Sequence, residues 1–246
     1  MLEGLYSAAA GMAAQQQRLD GVANDLANSS TTGYKHVRVG FRDLLYSAQG
    51  GAAGPTVMAG AGAAAGLIGR SQEQGALQQT DQPLDVAIQG PGFFQVKRAD
   101  GSLALTRDGS LRLDALGRLT TQAGDLIDPP ITIPRGTTPD QLSIGADGTV
   151  RAGAGRALGR IELVTVPAPD GLQSLGSNLF GVTAASGQPT AAGNGTTLRQ
   201  GALEASNVDV GDAMVDMIDA QRSFQLTSKA IQMQDQMLEI ANQVKR

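Results

Sequence analysis

The sequence has 246 residues, of which 41% are hydrophobic and 17% charged, and this is enough for one or two domains with a sizeable core. Aromatic residues are scarce and about one residue in six is Gly or Pro, so we expect a core of small aliphatic side chains. With 19 basic and 23 acidic residues, the net charge of -4 excludes the concentrated positive field that nucleic-acid binding requires.

The N-terminal segment predicts a long amphipathic helix over roughly residues 2–28. Its apolar positions recur in steps of three and four, a spacing that keeps them on one side of a helix. The turn-forming run SSTTG follows, and Gly33 is expected to close the helix with a positive φ. The positions on this face include Leu5, Met12, Leu19, Val22 and Leu26.

Residues 36–82 form a connecting segment that differs in composition from both of its neighbours. More than half of the residues between Ser47 and Ala76 are Gly or Ala, and only Arg70 and Glu73 are charged. Such a chain cannot build a core alone, so we expect an extended, flexible connection or a segment that orders on contact with a partner. Its few apolar anchors would be Val57, Met58, Leu67 and Ile68.

Residues 83–204 predict a central β domain. Short runs rich in Val, Ile, Leu and Thr alternate with turn signals such as Asp100-Gly101, Asp108-Gly109 and Asp147-Gly148. This pattern is typical of many short antiparallel strands. Phe93 and Phe94 are expected to lie in one core strand, with one ring on each of its faces.

The C-terminal segment predicts a second long helix, for which Ser206 or Asn207 is the expected N-cap. One apolar seam recurs at intervals of seven, and a second lies about 200° around the helix from it. The first seam includes Met217, Phe224, Ile231 and Leu238, and the second includes Leu226, Met233, Met237 and Ile240.

Together, these elements predict an α+β fold. Residues 1–35 and 205–246 would form a helical coiled-coil domain, and the β domain would lie between them. Pairing the two helices uses two apolar seams and leaves the third exposed, which calls for another subunit. The alternative is that the middle of the same chain covers the third seam.

The chain lacks the residue sets of most enzymes. There is no Cys, and the single His36 lies between Lys35 and Arg38, so neither a metal site nor thiol chemistry is expected. Most candidate acid pairs lie in Asp-Gly turns, and there is no G-x-S-x-G nucleophile motif. We therefore expect no catalytic site and no cofactor.

No apolar run is long enough to cross a membrane, and the first twenty residues carry Glu3 and the polar run Gln15-Gln16-Gln17. A signal peptide would need an apolar centre there. We therefore expect neither a membrane span nor a cleavable signal peptide.

The N-terminal stretch LYSAAAGMAAQQQRLDGVANDLANSSTTGYK resembles the signature of bacterial flagellar rod and hook proteins, whose pattern is close to ANNLAN-x-x-T-x-G-[FY]-K. The stretches PLDVAIQGPGFFQV with TRDGSLRLDALGRLTT, and GALEASNVDVGDAMVDMIDAQRSFQLTSKAIQMQDQML, are also similar to this family. The residues that match the signature are Asn24, Leu26, Ala27, Asn28, Thr32, Gly33 and Lys35.

This resemblance implies a structural subunit of the flagellar basal-body rod, most similar to subunits of its distal part. Its terminal helices would pack with many copies into a helical tube that transmits torque, with the β domain outside. The implied partners are further copies, other rod proteins, the hook subunit, the surrounding rings and the flagellar export apparatus. The implied location is the periplasmic rod, reached without a cleavable signal peptide.

Three alternatives remain at this point. The chain could be a proximal rod subunit or a hook-type axial subunit of the same family. A secreted β-domain enzyme that acts on glycans is the alternative from a different class. Concentration-dependent polymerisation would separate the rod subunit from the enzyme.

Overall fold

The computed structural model describes residues 2–44, 46–49, 57–60, 62–153, 155–193 and 195–244. These residues form two long helices and many short strands, so the predicted α+β fold is confirmed. They group into two compact units. The helical unit comprises the described residues of 1–27, 37–68 and 209–246, and the β unit comprises those of 28–36 and 69–208.

The helical unit contains α1 (Leu2–Ala27) and α2 (Val210–Val244). A Cβ atom at Gly4 would lie 2.9 Å from Gln234 Nε2, and a Cβ atom at Gly11 would lie 3.9 Å from Thr227 Cγ2. Further along α1, Arg18 forms an ion pair of 2.6 Å with Asp216. Because the partner numbers fall along α2 as the numbers rise along α1, the two helices pack antiparallel. A Cβ atom at Gly4 would require the flexible end of Gln234 to move, whereas a Cβ atom at Gly11 would make only an ordinary contact with Thr227.

The start of α2 differs from the prediction that Ser206 or Asn207 caps it. Asp209 Oδ1 accepts hydrogen bonds from the backbone N–H groups of Gly211 and Asp212, at 2.7 and 3.1 Å, and is therefore the N-cap. The predicted caps were wrong because their side chains bind elsewhere. Ser206 Oγ accepts from Val208 N, and Asn207 Oδ1 accepts from His36 N.

The connecting segment forms strands in its described parts. These are β1 (Val37–Asp43), β2 (Tyr46–Gln49), β3 (Val57–Gly60) and β4 (Ala63–Arg70), and β1 pairs with β4 while β2 pairs with β3. Small residues let this segment approach α1 closely. A Cβ atom at Gly62 would lie 3.0 Å from Ala10 Cβ, and one at Gly21 would lie 3.0 Å from Val39 Cγ2. The described parts of the connecting segment are thus extended strands, and the expected flexibility of the free chain stays a prediction.

The β unit is built from sixteen short strands in its described residues, most of three to five residues. They are β5 (Leu77–Gln79), β6 (Val86–Gln89), β7 (Phe93–Lys97), β8 (Leu103–Thr106), β9 (Leu111–Leu113), β10 (Leu119–Thr121), β11 (Leu126–Ile127), β12 (Leu142–Ile144), β13 (Thr149–Ala152), β14 (Arg156–Arg160), β15 (Leu163–Thr165), β16 (Gln173–Gly176), β17 (Leu179–Gly181), β18 (Thr190–Ala191), β19 (Thr197–Gln200) and β20 (Ala202–Glu204).

The largest sheet has the order β16-β17-β8-β7-β11-β10-β9, and β15 joins it by pairing with both β7 and β18. A three-stranded sheet contains β12, β13 and β14, and two further pairs join β19 to β6 and β20 to β5. The described pairings are antiparallel, for example Val96 opposite Ala104. The predicted antiparallel β domain is present.

Strand β7 contributes to two hydrophobic cores. Phe94 lies fully buried in the larger core with Ile88 and Leu119, whereas Phe93 packs in a smaller core with Leu105 and Phe180. Successive side chains of a strand point to opposite faces, so two adjacent phenylalanines serve both cores. The prediction of one ring on each face is confirmed.

Candidate assembly surfaces and the buried charge cluster

One face of α2 packs against α1. Ala213 and Ala220 are buried on this face, and Met217, Phe224 and Ile231 are partly buried beside them. At 100° per residue, these five side chains lie within about 60° of one another. We call them the inner face of α2. Leu238, the last residue of the predicted seam, also lies in α2, but its side chain is outside the described residues.

The predicted apolar positions of α1 are all partly or fully covered. Val22 is buried with 7% exposure, and the other four predicted residues, Leu5, Met12, Leu19 and Leu26, are partly buried. By contrast, Tyr6 on the same helix is 73% exposed. The three-four spacing therefore identified the covered side of α1.

The opposite side of α2 is apolar and exposed. It lies about 200° around the helix from the inner face and extends about 37 Å at 1.5 Å per residue. We call it the outer face of α2; its members are Val215 (59% exposed), Leu226 (68%), Met233 (58%), Met237 (62%) and Ile240 (60%). These side chains are exposed in the single chain, and the expectation that another subunit covers them stays a prediction.

A second group of exposed apolar side chains lies on β1 and β4 of the helical unit. Phe41 is 46% exposed, Leu67 is 77% exposed and Ile68 is 58% exposed. Val57 and Met58 lie in β3, but their side chains are outside the described residues. A role for Leu67 and Ile68 in subunit contact stays a prediction.

The turn after α1 belongs to the β unit, and residues of the signature bind this turn to the strands of the same unit. Thr32 Oγ1 donates a hydrogen bond of 3.0 Å to Asp108 Oδ1, and Gly33 N donates one of 2.8 Å to the carbonyl of Glu204. Gly33 has a φ of +67°, and a Cβ atom there would lie 2.8 Å from the carbonyl carbon of Arg107. Both facts require glycine. The predicted positive φ of Gly33 is confirmed, but α1 already ends at Ala27, so Gly33 does not close the helix.

Lys35 ends the signature and is completely buried. Its ammonium group lies 2.5 Å from Glu204 Oε1 and 2.6 Å from the carbonyl oxygen of Glu73. The guanidinium of Arg107 binds both oxygens of the Glu204 carboxylate, at 3.1 and 2.9 Å. Gly75 N donates a further hydrogen bond of 3.0 Å to Glu204 Oε1. We call Lys35, Arg107 and Glu204 the buried charge cluster.

The cluster holds two cations and one anion, and backbone carbonyl groups offset the imbalance. Arg107 Nε donates to Gly92 O at 2.9 Å, and Arg107 Nη2 donates to Gly90 O at 2.7 Å. The guanidinium also lies 5.6 Å from the centre of the Phe93 ring. Every charged group in the cluster therefore has hydrogen-bond partners, as a buried charge requires.

Burial shifts the pKa of two groups here, Lys35 and Asp108. Desolvation lowers the pKa of Lys35, while its hydrogen bond and ion pair with Glu204 act in the opposite direction. Burial raises the pKa of Asp108, and the hydrogen bonds from Ser110 and Thr32 oppose that rise. Both residues lie where the N-terminal turn meets the strands of the β unit.

Asn207 joins three stretches of chain at the edge of the β unit. Its Oδ1 accepts from His36 N at 2.7 Å, and its Nδ2 donates to the carbonyl of Glu73 at 3.0 Å. His36 O in turn accepts from Ser71 N at 2.9 Å. The backbone after α1, the backbone after β4 and the backbone before α2 are thereby tied at one residue.

The remaining signature residues have local roles or lie at the surface. The carbonyl of Asn28 accepts from Thr31 N at 3.0 Å, and Asn28 Oδ1 accepts from Thr31 Oγ1 at 3.1 Å, so Asn28 shapes the turn. Leu26 is partly buried, whereas Asn24 and Ala27 are exposed.

Sequence reasoning did not identify Arg107, Glu204 and Asn207 as parts of this site. All three occur in the stretches that resemble the rod and hook family, and this was the only signal for them. Their partners are distant in sequence, since Lys35 and Glu204 are 169 residues apart.

In the part of the chain that the structure describes, no group of three or more His, Cys, Asp or Glu side chains could hold a metal ion. Neither α1 nor α2, as far as they are described, is long and apolar enough to span a bilayer.

Three family models match this chain in separate segments. Residues 5–35 match a flagella basal body rod protein family, residues 87–152 match the D1 domain of the flagellar hook protein FlgE/F/G family, and residues 199–244 match the C-terminal segment of the flagellar basal body rod FlgEFG proteins. The matches cover α1 with its turn, the first half of the β unit, and α2 with the strands before it. They define a protein of the flagellar rod and hook class.

Relatives that match over their full length show which family within this class includes the chain. The chain is 40% identical to the flagellar basal-body rod protein FlgG of Borreliella burgdorferi, with 100% of both chains covered. It is 38% identical to the FlgG of Caulobacter vibrioides, over 99% of this chain and 100% of the relative. A flagellar hook-basal body complex protein FlhP of Bacillus subtilis is 31% identical, with full coverage of both. The chain belongs to the flagellar basal-body rod protein family.

Proposed function

We propose that this protein is a structural subunit of the flagellar basal-body rod that polymerises through the outer face of α2. The observation that carries the proposal is the apolar stripe from Val215 to Ile240, whose members are all more than half exposed. An exposed apolar surface of this length is typical of a protein interaction site.

A second copy of the chain is the occupant that the observations favour. The inner face of α2 is already used by α1, so the helix pair presents one apolar face inward and one outward. A helix that is apolar on two opposite sides is suited to a multi-helix assembly rather than to an isolated pair. Repeating the same head-to-tail contact without closing a ring produces a helical filament.

The members of the rod and hook family that match this chain support a rod as the filament. Within the rod, we propose a distal position, because the full-length relatives that are 38% and 40% identical to this chain carry the name FlgG, whereas FlhP is only 31% identical. A proximal rod or hook-type axial position is the alternative. The proposed partners are further copies of the chain, neighbouring rod proteins and the hook subunit.

The proposal is tested by placing charges on the outer face. The double variant M233D/M237D would bury two carboxylates in a desolvated contact, so we expect it to fold but to fail to enter rods. The matched control is Q225D/Q232D, which adds the same charges to exposed positions of the same helix, about 80° to 100° away from Met233. Rods assembled normally from M233D/M237D would contradict the proposal.

A further inference from the structure

Methionine is the only sulfur-containing residue of this chain, which has seven Met and no Cys. Two of the methionines, Met233 and Met237, lie one helical turn apart on the outer face of α2. Their side chains are 58% and 62% exposed, so a small oxidant can reach both sulfur atoms in the free subunit. Leu226 and Ile240 flank the pair on the same face.

Peroxide converts a methionine thioether into a sulfoxide. The sulfur donates an electron pair to one oxygen of hydrogen peroxide, the O–O bond breaks, and the second oxygen leaves as water with both protons. The product carries a polar S=O group in place of an apolar sulfur. Burying such a group in an apolar contact without a hydrogen-bond donor is unfavourable.

We propose that Met233 and Met237 form an oxidation-sensitive site that decides whether a free subunit can assemble. This inference rests on the proposed function, in which the outer face of α2 is buried against another copy. Oxidation of the free subunit blocks assembly, whereas a subunit already in the filament has both sulfurs covered by its neighbour. Methionine sulfoxide reductase, supplied with a dithiol as reductant, releases the sulfoxide oxygen as water while the two thiols form a disulfide, and this restores the assembly-competent face.

Met233 and Met237 differ from the other exposed methionine of α2 in their position around the helix, and not in their exposure. Met214 is 54% exposed, nearly as much as Met233, but it lies about 100° around the helix from Met233 and about 140° from Met237. Met217 belongs to the inner face and is partly buried. Met214 is therefore a control within the same helix for the effect of an exposed sulfoxide elsewhere.

The experiment treats the purified full-length chain with hydrogen peroxide and measures self-association by sedimentation velocity over a concentration series. Mass spectrometry records which methionines carry oxygen. We expect oxidation to weaken self-association of the wild type by about tenfold or more. M233L/M237L should keep its self-association after the same treatment, M214L should lose it as the wild type does, and methionine sulfoxide reductase should restore the oxidised wild type.

Two results would overturn the inference. One is undiminished assembly of a wild type in which both sulfoxides have been verified, and the other is an equal loss in M233L/M237L. The variant M233D/M237D distinguishes a failure of the oxidation inference from a failure of the proposed function. If it fails to assemble while the double sulfoxide assembles, only the oxidation site is disproved. If M233D/M237D assembles, or the untreated wild type does not self-associate, the proposed function itself is contradicted.

Discussion

Lys35 and Glu204 are separated by 169 residues in the sequence, yet their charged atoms lie 2.5 Å apart with both side chains fully buried. The first belongs to the turn after α1 and the second ends β20, shortly before α2. Their ion pair therefore joins the beginning of the chain to its end within the β unit. Replacing a buried pair of this kind by apolar side chains is often neutral, whereas removing only one partner leaves an uncompensated buried charge and is costly.

Removing the carboxylate of Glu204 should lower the free energy of unfolding much more than removing the ammonium group of Lys35. In E204A, Lys35 and Arg107 remain buried without a carboxylate, so we expect the free energy of unfolding to fall by about 3 to 5 kcal/mol. In K35M, the bidentate Arg107–Glu204 pair remains, so the loss should be clearly smaller. Urea unfolding followed by circular dichroism compares the two. Equal losses, or a neutral E204A, would show that the cluster does not act as a charge-balanced unit.

The raised pKa of Asp108 predicts a specific pH dependence. Between the ordinary pKa of 3.8 and the raised value, the folded chain holds a proton that the unfolded chain has released. This carboxyl therefore lowers stability as the pH rises through that window. In D108N, the Oδ1 atom can still accept from Thr32 and Ser110, but no charge forms. The free energy of unfolding of D108N relative to wild type should increase from pH 3 to pH 7.

Groups that do not interact with Asp108 titrate alike in both proteins, so their effects cancel in this comparison, whereas the nearby charge of Asp85 contributes to the raised pKa of Asp108. The measurement is urea unfolding of both proteins at several pH values. A difference between the two proteins that stays constant with pH, or that decreases as the pH rises, would rule out a raised pKa for Asp108.

Charges on the inner face of α2 should disrupt the helix pair and leave the β unit intact. I231D and F224D each place a carboxylate where side chains are partly buried against α1. We expect reduced helical content, loss of rod assembly and an unchanged unfolding transition of the β unit. Q225D, an exposed neighbour in sequence, is the control. Swimming motility and circular dichroism are the two readouts, and normal motility of I231D and F224D would contradict the assignment of this face.

Limited proteolysis should leave a core made of two pieces of chain. Residues 28–36 belong to the β unit together with residues 69–208, and the cluster around Lys35 anchors them there. We expect cleavage within 37–68 to leave the peptide that contains Lys35 bound to the large fragment during gel filtration. Mass spectrometry of the eluted core identifies both pieces. A core that begins after residue 68, with the peptide lost, would show that the anchoring is weak, and K35M should lose the peptide sooner than wild type.

The helices could be predicted from sequence because their evidence is local. Spacings of three, four and seven residues identified both the covered side of α1 and the two apolar sides of α2. The short strands between residues 83 and 204 followed from turn signals and β-branched runs in the same way, whereas β1 to β4 were not predicted. Periodicity needs no knowledge of what lies far away in the chain.

The charge cluster could not be predicted because its members are brought together only by the tertiary fold. Lys35 was recognised as part of a signature, but nothing near it indicated that Arg107 and Glu204 would surround it. The N-cap of α2 was misjudged for a related reason. Asn207 is a good capping residue, but its side chain binds His36 from a distant part of the chain, so Asp209 caps the helix.

The central claim is that the outer face of α2 is buried against another copy of this chain. A photo-crosslinking amino acid at position 233 in isolated basal bodies tests this most directly, with position 232 as the control, since Gln232 is exposed and lies about 100° around the helix. We expect position 233 to give crosslinked dimers of this chain in much higher yield than position 232. Equal yields from the two positions, or only monomers from position 233, would contradict the claim.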